Sequence, residues 1–131
     1  MSAVCRKHPR FEELRYARCV LVVGYAKSGG QYDNREPRLW LQTLEGGRRR
    51  AYAAHLNCFE ALPVFIAAQF TAVWTDGPQG MIDALSIGFV LFRVLYVFAY
   101  IIDRATLRST LWSLAYFCAI GLFISGYWAQ P

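Results

Sequence analysis

Arg50, Asn57 and Glu60 stand seven and then three residues apart inside an apolar, helix-length run, Arg50–Phe65. That spacing puts them along one stripe of a helix. Arg93, Tyr96 and Tyr100 form a second stripe, spaced three and four apart, which Asp103 and Arg104 extend. Arg108, Ser109, Trp112 and Tyr116 line one side of a third apolar run. Arginine does not lose its proton in proteins, so Arg50, Arg93 and Arg108 are fixed cations. Glu60 is expected to pair with Arg93, while Asn57 offers donors and an acceptor. Such a set suits an anionic ligand that carries carboxylates and amides. A cation beside a ligand thiol favours the thiolate. Tyrosines at the edge are placed to donate to that thiolate or to a product oxyanion.

The same residues also support a purely structural reading. Glu60 and Arg93 would be a buried pair that fixes helix register, with Asn57 as glue between helices. Tyr96, Tyr100 and Trp112 fit packing roles. His55 lies near the start of its run, where a satisfied or solvated histidine is the simpler assignment than a ligand. Pro63 is expected to kink its helix.

The elements that must hold these side chains follow from hydropathy. The 131 residues are 56% hydrophobic and only 18% charged, against about 25% charged in ordinary soluble domains. Three runs are long enough to cross a bilayer, about residues 50–74, 80–102 and 107–128. Thr75–Pro78 and Asp103–Thr106 are short turns, which force antiparallel neighbours. The fold class is therefore all-α, an integral membrane helical bundle. The net charge of +5 sits in basic residues at the edges of apolar runs, where membrane topology and not nucleic acid accounts for it. Lys27, Arg35, Arg38 and Arg48–Arg50 precede the first span, and Arg104 and Arg108 separate the second from the third. Those segments are assigned to the cytoplasm, the Asp76 turn and the C-terminus to the opposite side. All three polar stripes then fall in the cytoplasmic half. Cys5, Cys19, Cys58 and Cys118 form no CxxC pair and suggest neither a disulfide framework nor a metal site. Cys58 and Cys118 read as small buried thiols.

Residues 1–18 are basic and non-periodic, and the apolar run Cys19–Tyr25 is too short to span. They are expected to be either an interfacial segment ahead of a membrane domain, 19–131, or the sign of a shifted or truncated start that leaves only the end of a first helix. The connection Lys27–Arg50 is expected to be a water-exposed loop with one helical turn near Pro37–Leu44. Leu39, Trp40, Leu41 and Leu44 are assigned to the membrane surface, and Gly46-Gly47 to a break before the arginines.

The run R-x-x-x-A-H-x-N-x-x-E-x-x-P-x-F (Arg50–Phe65) and the later F-x-x-x-R-x-x-Y-x-x-x-Y (Phe89–Tyr100), followed by Arg108-Ser109, resemble the MAPEG family, membrane-associated proteins in eicosanoid and glutathione metabolism. The resemblance covers about residues 20–128 and looks closest to small bacterial members, which implies a bacterial inner membrane. It implies a four-helix bundle assembled as a homotrimer, with glutathione held between subunits near the cytoplasmic side. It also implies contact with membrane lipid and a lipophilic small-molecule substrate. The implied activity is a glutathione-dependent transferase or peroxidase acting on lipophilic electrophiles; the alternative is a non-catalytic binder of lipid or small amphiphiles. By motif position, Arg108 and Tyr100 would be catalytic, with Arg108 stabilising the glutathione thiolate. Arg50, Asn57, Glu60, Arg93, Tyr96 and Ser109 would bind the cofactor. Two positions depart from the glutathione-using pattern. Ala53 stands where a second arginine is common, removing a bidentate partner for a carboxylate. Trp112 replaces a smaller side chain.

Overall fold

A helix that crosses lipid must satisfy its own backbone, and the chain does this three times. The computed structural model describes residues 24–28 and 35–129. After a helical turn at 24–27 come α1 (Pro37–Gln42), α2 (Gly46–Trp74), α3 (Gln79–Ile101) and α4 (Ala105–Ile124), closed by a 3-10 helix, Ser125–Ala129. Helices α2, α3 and α4 with its extension are each long and apolar enough to span a bilayer. Residues 1–18, most of the Cys19–Tyr25 run and the Asp33-Asn34 loop lie outside the described residues.

The first span begins four residues before its expected start. Gly46 and Gly47 open α2 and do not break it, and the three arginines are already helical. Apolar periodicity could not show this, because the first turn needs no buried face and arginine is a good helix former. The connection before it also differs from expectation. Pro37 starts α1, where its missing N–H loses nothing. Leu41 and Leu44 are buried, clustered with Ala26 and Ala51 and flanked by Trp40, Tyr52 and Ile101. These leucines therefore pack against the bundle and do not lie on the membrane surface, while Leu39 stays exposed.

Both reversals use the same backbone device. Asp76 (φ 50°) and Asp103 (φ 62°) take the left-handed conformation just past α2 and α3. The N–H of Gly77 donates to Ala72 O at 3.0 Å and that of Asp76 to Val73 O at 3.3 Å; Arg104 to Ala99 O (3.0 Å) and Asp103 to Tyr100 O (3.3 Å) repeat the pattern. These bonds satisfy orphan carbonyls and turn the chain sharply. The three spans consequently run antiparallel in sequence order.

Small residues set how closely they approach. Helix α2 buries Ala51, Ala54, Ala61, Phe65, Ala68 and Ala72, and α4 buries Leu111, Ala115, Ala119 and Leu122. In lipid, packing of this kind replaces the hydrophobic drive that water would supply. A Cβ added at Gly121 would come within 3.1 Å of Leu85, so α3 and α4 nearly touch there. Between α2 and α3 the Phe65 and Phe89 rings stack 4.1 Å apart at 9°. Gln69 Nε2 donates to Ser86 Oγ across the same interface. Phe70, Trp74, Phe98 and Phe117 point outward and are exposed, as lipid-facing side chains should be. Pro63 sits on the exposed side of α2, which continues through it.

The packing predicts a contrast between neighbours on α2. Ala68 is fully buried and Ala67 exposed. Ala68→Leu should destabilise the detergent-solubilised protein by about 1–3 kcal/mol through overpacking. Ala67→Leu should stay within about 0.5 kcal/mol. Thermal unfolding followed by intrinsic fluorescence distinguishes the two.

Candidate functional site

The start of α2, the end of α3 and the start of α4 meet at one end of the bundle, and the three polar stripes meet with them. Arg50 is outermost. Its Nε donates to Ile101 O at 3.2 Å, one of the carbonyls left without a helical partner at the end of α3. Its Nη1 lies 3.8 Å from Asp103 Oδ2. The guanidinium thus sits at the negative end of the α3 dipole, and Asp103 adds little because its side chain is 68% exposed. Of the triplet, Arg48 and Arg49 are exposed and Arg50 alone turns inward.

Two turns deeper, Arg93 is 4% exposed. Its Nη2 donates to Asn57 Oδ1 at 2.9 Å and lies 3.6 Å from Cys58 Sγ. Its Cζ sits 4.4 Å over the Tyr96 ring. Asn57 then donates from Nδ2 to Glu60 Oε2 at 3.1 Å. The expected Glu60–Arg93 ion pair is therefore corrected to a relay, with the amide between carboxylate and guanidinium. The reason is angular: Asn57 faces α3, whereas Glu60, three residues on, lies on the exposed side of α2. Arg93 Nη1 is buried without a hydrogen-bond partner.

From Arg93 a ladder of cations and rings leads to α4. Tyr96 and Tyr100 meet edge to face at 5.6 Å, and Arg108 Cζ lies 4.5 Å over the Tyr100 ring. Each guanidinium gains from the ring quadrupole, most where water is excluded. Ser109 is exposed, and its hydroxyl donates to Ala105 O at 3.2 Å, leaving the oxygen open as an acceptor. Trp112 stacks on Tyr116 at 4.2 Å on the outer face of α4. His55 stands apart from this set, between the rings of Tyr52 (6.4 Å) and Phe59 (4.8 Å). Among the described residues no three His, Cys, Asp or Glu side chains gather as a metal site would require.

Two polar contacts escaped the sequence reading. Cys58 touches Arg93, and its position was signalled by the buried Ala54 and Ala61, which bracket it at helical spacing. Gln69 and Ser86 pair in the other half of the bundle, and an amide inside an apolar span was the available sign.

An antiparallel bundle of three apolar spans, with a cation–aromatic ladder at one end, defines an integral membrane protein with a polar site inside its helices. The family model for the MAPEG family matches residues 16–128, and the chain belongs to that family. No curated protein matches the chain.

The relay makes Asn57 and Glu60 unequal. Asn57→Leu removes the oxygen acceptor of a buried guanidinium and should destabilise by about 1–3 kcal/mol or more. Glu60→Gln keeps an acceptor for Asn57 and should change stability by less than about 1 kcal/mol. Thermal unfolding of the two variants in one detergent tests the order; equal losses would mean that the relay does not hold the helices.

Proposed function

We propose that the chain is a membrane-bound glutathione-dependent transferase or peroxidase acting on lipophilic electrophiles. It would work as a homotrimer in a bacterial inner membrane with its polar end towards the cytoplasm. The observation that carries this reading is the guanidinium of Arg108, set over Tyr100 at one end of a ladder whose other end is Arg93.

The residues fit the ligand in chemical type. A tripeptide with two carboxylates, an ammonium, two amides and a thiol needs fixed cations, an anion and mixed donors. Arg93 offers an unpartnered buried Nη1, Glu60 an exposed carboxylate, Asn57 an amide and Ser109 an open acceptor. Glutathione supplies the nucleophilic sulfur, which forms a carbon–sulfur bond as a leaving group departs with its electron pair, or joins the sulfur of a second glutathione in a disulfide as a hydroperoxide takes up both thiol hydrogens and becomes alcohol and water. Arg108 would hold negative charge at that sulfur, and the Tyr100 hydroxyl would donate to it or to the departing oxyanion. Tyr96 would keep Arg93 in place, and Arg93, Asn57 and Glu60 would orient the peptide. Assembly is supported by Glu60 itself. It stands at the midpoint of α2 with its carboxylate on the exposed face, where lipid is a poor neighbour for a charge, and a second copy or a ligand would cover it.

A second reading, non-catalytic binding of lipid or small amphiphiles, draws on Arg50 and Ala53. Arg50 is already engaged by Ile101 and Asp103, and Ala53 offers no replacement for gripping a carboxylate. Adding glutathione to the detergent-purified protein decides between them. The transferase or peroxidase reading expects an ultraviolet thiolate band that appears with wild type, is lost in Arg108→Ala and is partly kept in Arg108→Lys. No band with wild type, together with a lipid that co-purifies by mass spectrometry, would overturn it in favour of binding alone.

A further inference from the structure

Positive charge is gathered at one end of the bundle. Between Arg50 and Arg93, and again after Arg108, the sequence has no lysine or arginine. The turn between α2 and α3 at the far end therefore holds Asp76 and no cation. At the near end Arg35, Arg38, Arg48, Arg49 and Arg104 are all exposed. The acids at that end among the described residues are Glu36, Glu45 and Asp103, and Asp103 already lies 3.8 Å from Arg50. The backbone adds to the excess. Helices α2 and α4 both begin here, and neither has a side-chain cap or an acidic residue in its first turn. A helix start carries partial positive charge and disfavours the cations that α2 places in its first turn, Arg48 and Arg49. The end as a whole calls for an anion from outside the chain.

Apolar side chains adjoin these cations. Ile102 and Leu107 are exposed on either side of Arg104, and Leu39 is exposed beside Arg38. A small soluble anion gains nothing from such flanks, whereas a lipid presents a charged head directly above apolar chains. We propose that this end is a docking surface for anionic phospholipids, with the headgroup phosphate at Arg49 and Arg104 and the acyl chains along Ile102 and Leu107. Arg49 and Arg104 are the chain neighbours of Arg50 and Asp103, so the two cations flank that single contact. A guanidinium offers paired donors that match phosphate oxygens, and each cation near the membrane surface adds to the attraction for anionic lipid. Such a lipid lies outside the bundle. Arg49 and Arg104 belong neither to the Asn57 relay nor to the ladder from Arg93 to Arg108, so the surface does not depend on glutathione use.

The experiment offers the full-length protein, purified in a non-ionic detergent, equal amounts of phosphatidylglycerol and phosphatidylcholine with matched acyl chains, and counts bound lipid by native mass spectrometry. The wild type should take up phosphatidylglycerol at least about fivefold over phosphatidylcholine, and each of Arg49→Gln and Arg104→Gln should lower that ratio, the double variant bringing it to about one. Arg49→Lys with Arg104→Lys should keep most of the preference, because the charge remains. Excess glycerol phosphate should not displace the lipid. Equal uptake of the two lipids by the wild type overturns the proposal, as does a preference that survives in the double Gln variant. Displacement by glycerol phosphate overturns it too, in favour of a site for a soluble anion. If the double variant fails to fold, the two single variants decide: a ratio that neither lowers counts against the surface.

Discussion

A guanidinium keeps its charge wherever the fold carries it. Placing Arg93 on the buried face of α3 therefore dictates what α2 must bring opposite. Asn57 supplies the acceptor at 2.9 Å, and a slip of one residue along α2 would replace it with Leu56 or Cys58. The rest of the interface agrees with this register. The Phe65–Phe89 stack lies next along the pair of helices, and the Gln69–Ser86 hydrogen bond follows. Apolar surfaces slide past one another at small cost in lipid, so the polar contacts carry the choice of register and the alanines set the distance.

Arg50 shows how the same side-chain type can serve the backbone. Its bond to Ile101 O completes the end of α3 at the point where Asp103 turns the chain into α4. The two devices act together. The left-handed aspartate satisfies the carbonyls of Ala99 and Tyr100 through backbone N–H groups, and the arginine takes the next one from the side. The close approach of α2, α3 and α4 at this end follows from that closure, and it brings Arg108 over Tyr100.

The fold was largely legible because hydropathy and turn length are strong signals in a membrane protein. Three spans could be read from hydropathy, their antiparallel order from turn length, and the convergence of the stripes at one end from residue spacing. What spacing gives is the angle of a residue around its helix, and this does not settle which atoms reach across. Glu60 and Asn57 share a stripe, yet only Asn57 reaches Arg93, because the sixty degrees between them straddle the edge of the interface. Of the arginine triplet, spacing had put Arg50 on the stripe, and it is Arg50 that turns inward while Arg48 and Arg49 turn out. Leu41 and Leu44 were misassigned by a different route. A leucine can be buried at the edge of the lipid or against the bundle, and hydropathy does not tell it which of them it will cover.

Packing explains some residues of the family motif and leaves others unexplained. The motif from Arg50 to Phe65 is explained to a large extent by packing: Ala51, Ala54, Ala61 and Phe65 face the core, Arg50 closes α3 and Asn57 receives Arg93. A chain could keep all of these for its fold alone. Glu60 is different. Among the described residues its one hydrogen bond is to Asn57, which does not need it to hold Arg93, and its carboxylate looks outward from the middle of a spanning helix. Lipid is the most expensive surrounding for that group, and packing within the chain gives no reason to retain it. Glu60 and the open Nη1 of Arg93 are therefore the groups at this end that packing among the described residues does not explain. One is an anion facing out of the bundle and the other a cation facing in, and the amide of Asn57 stands between them.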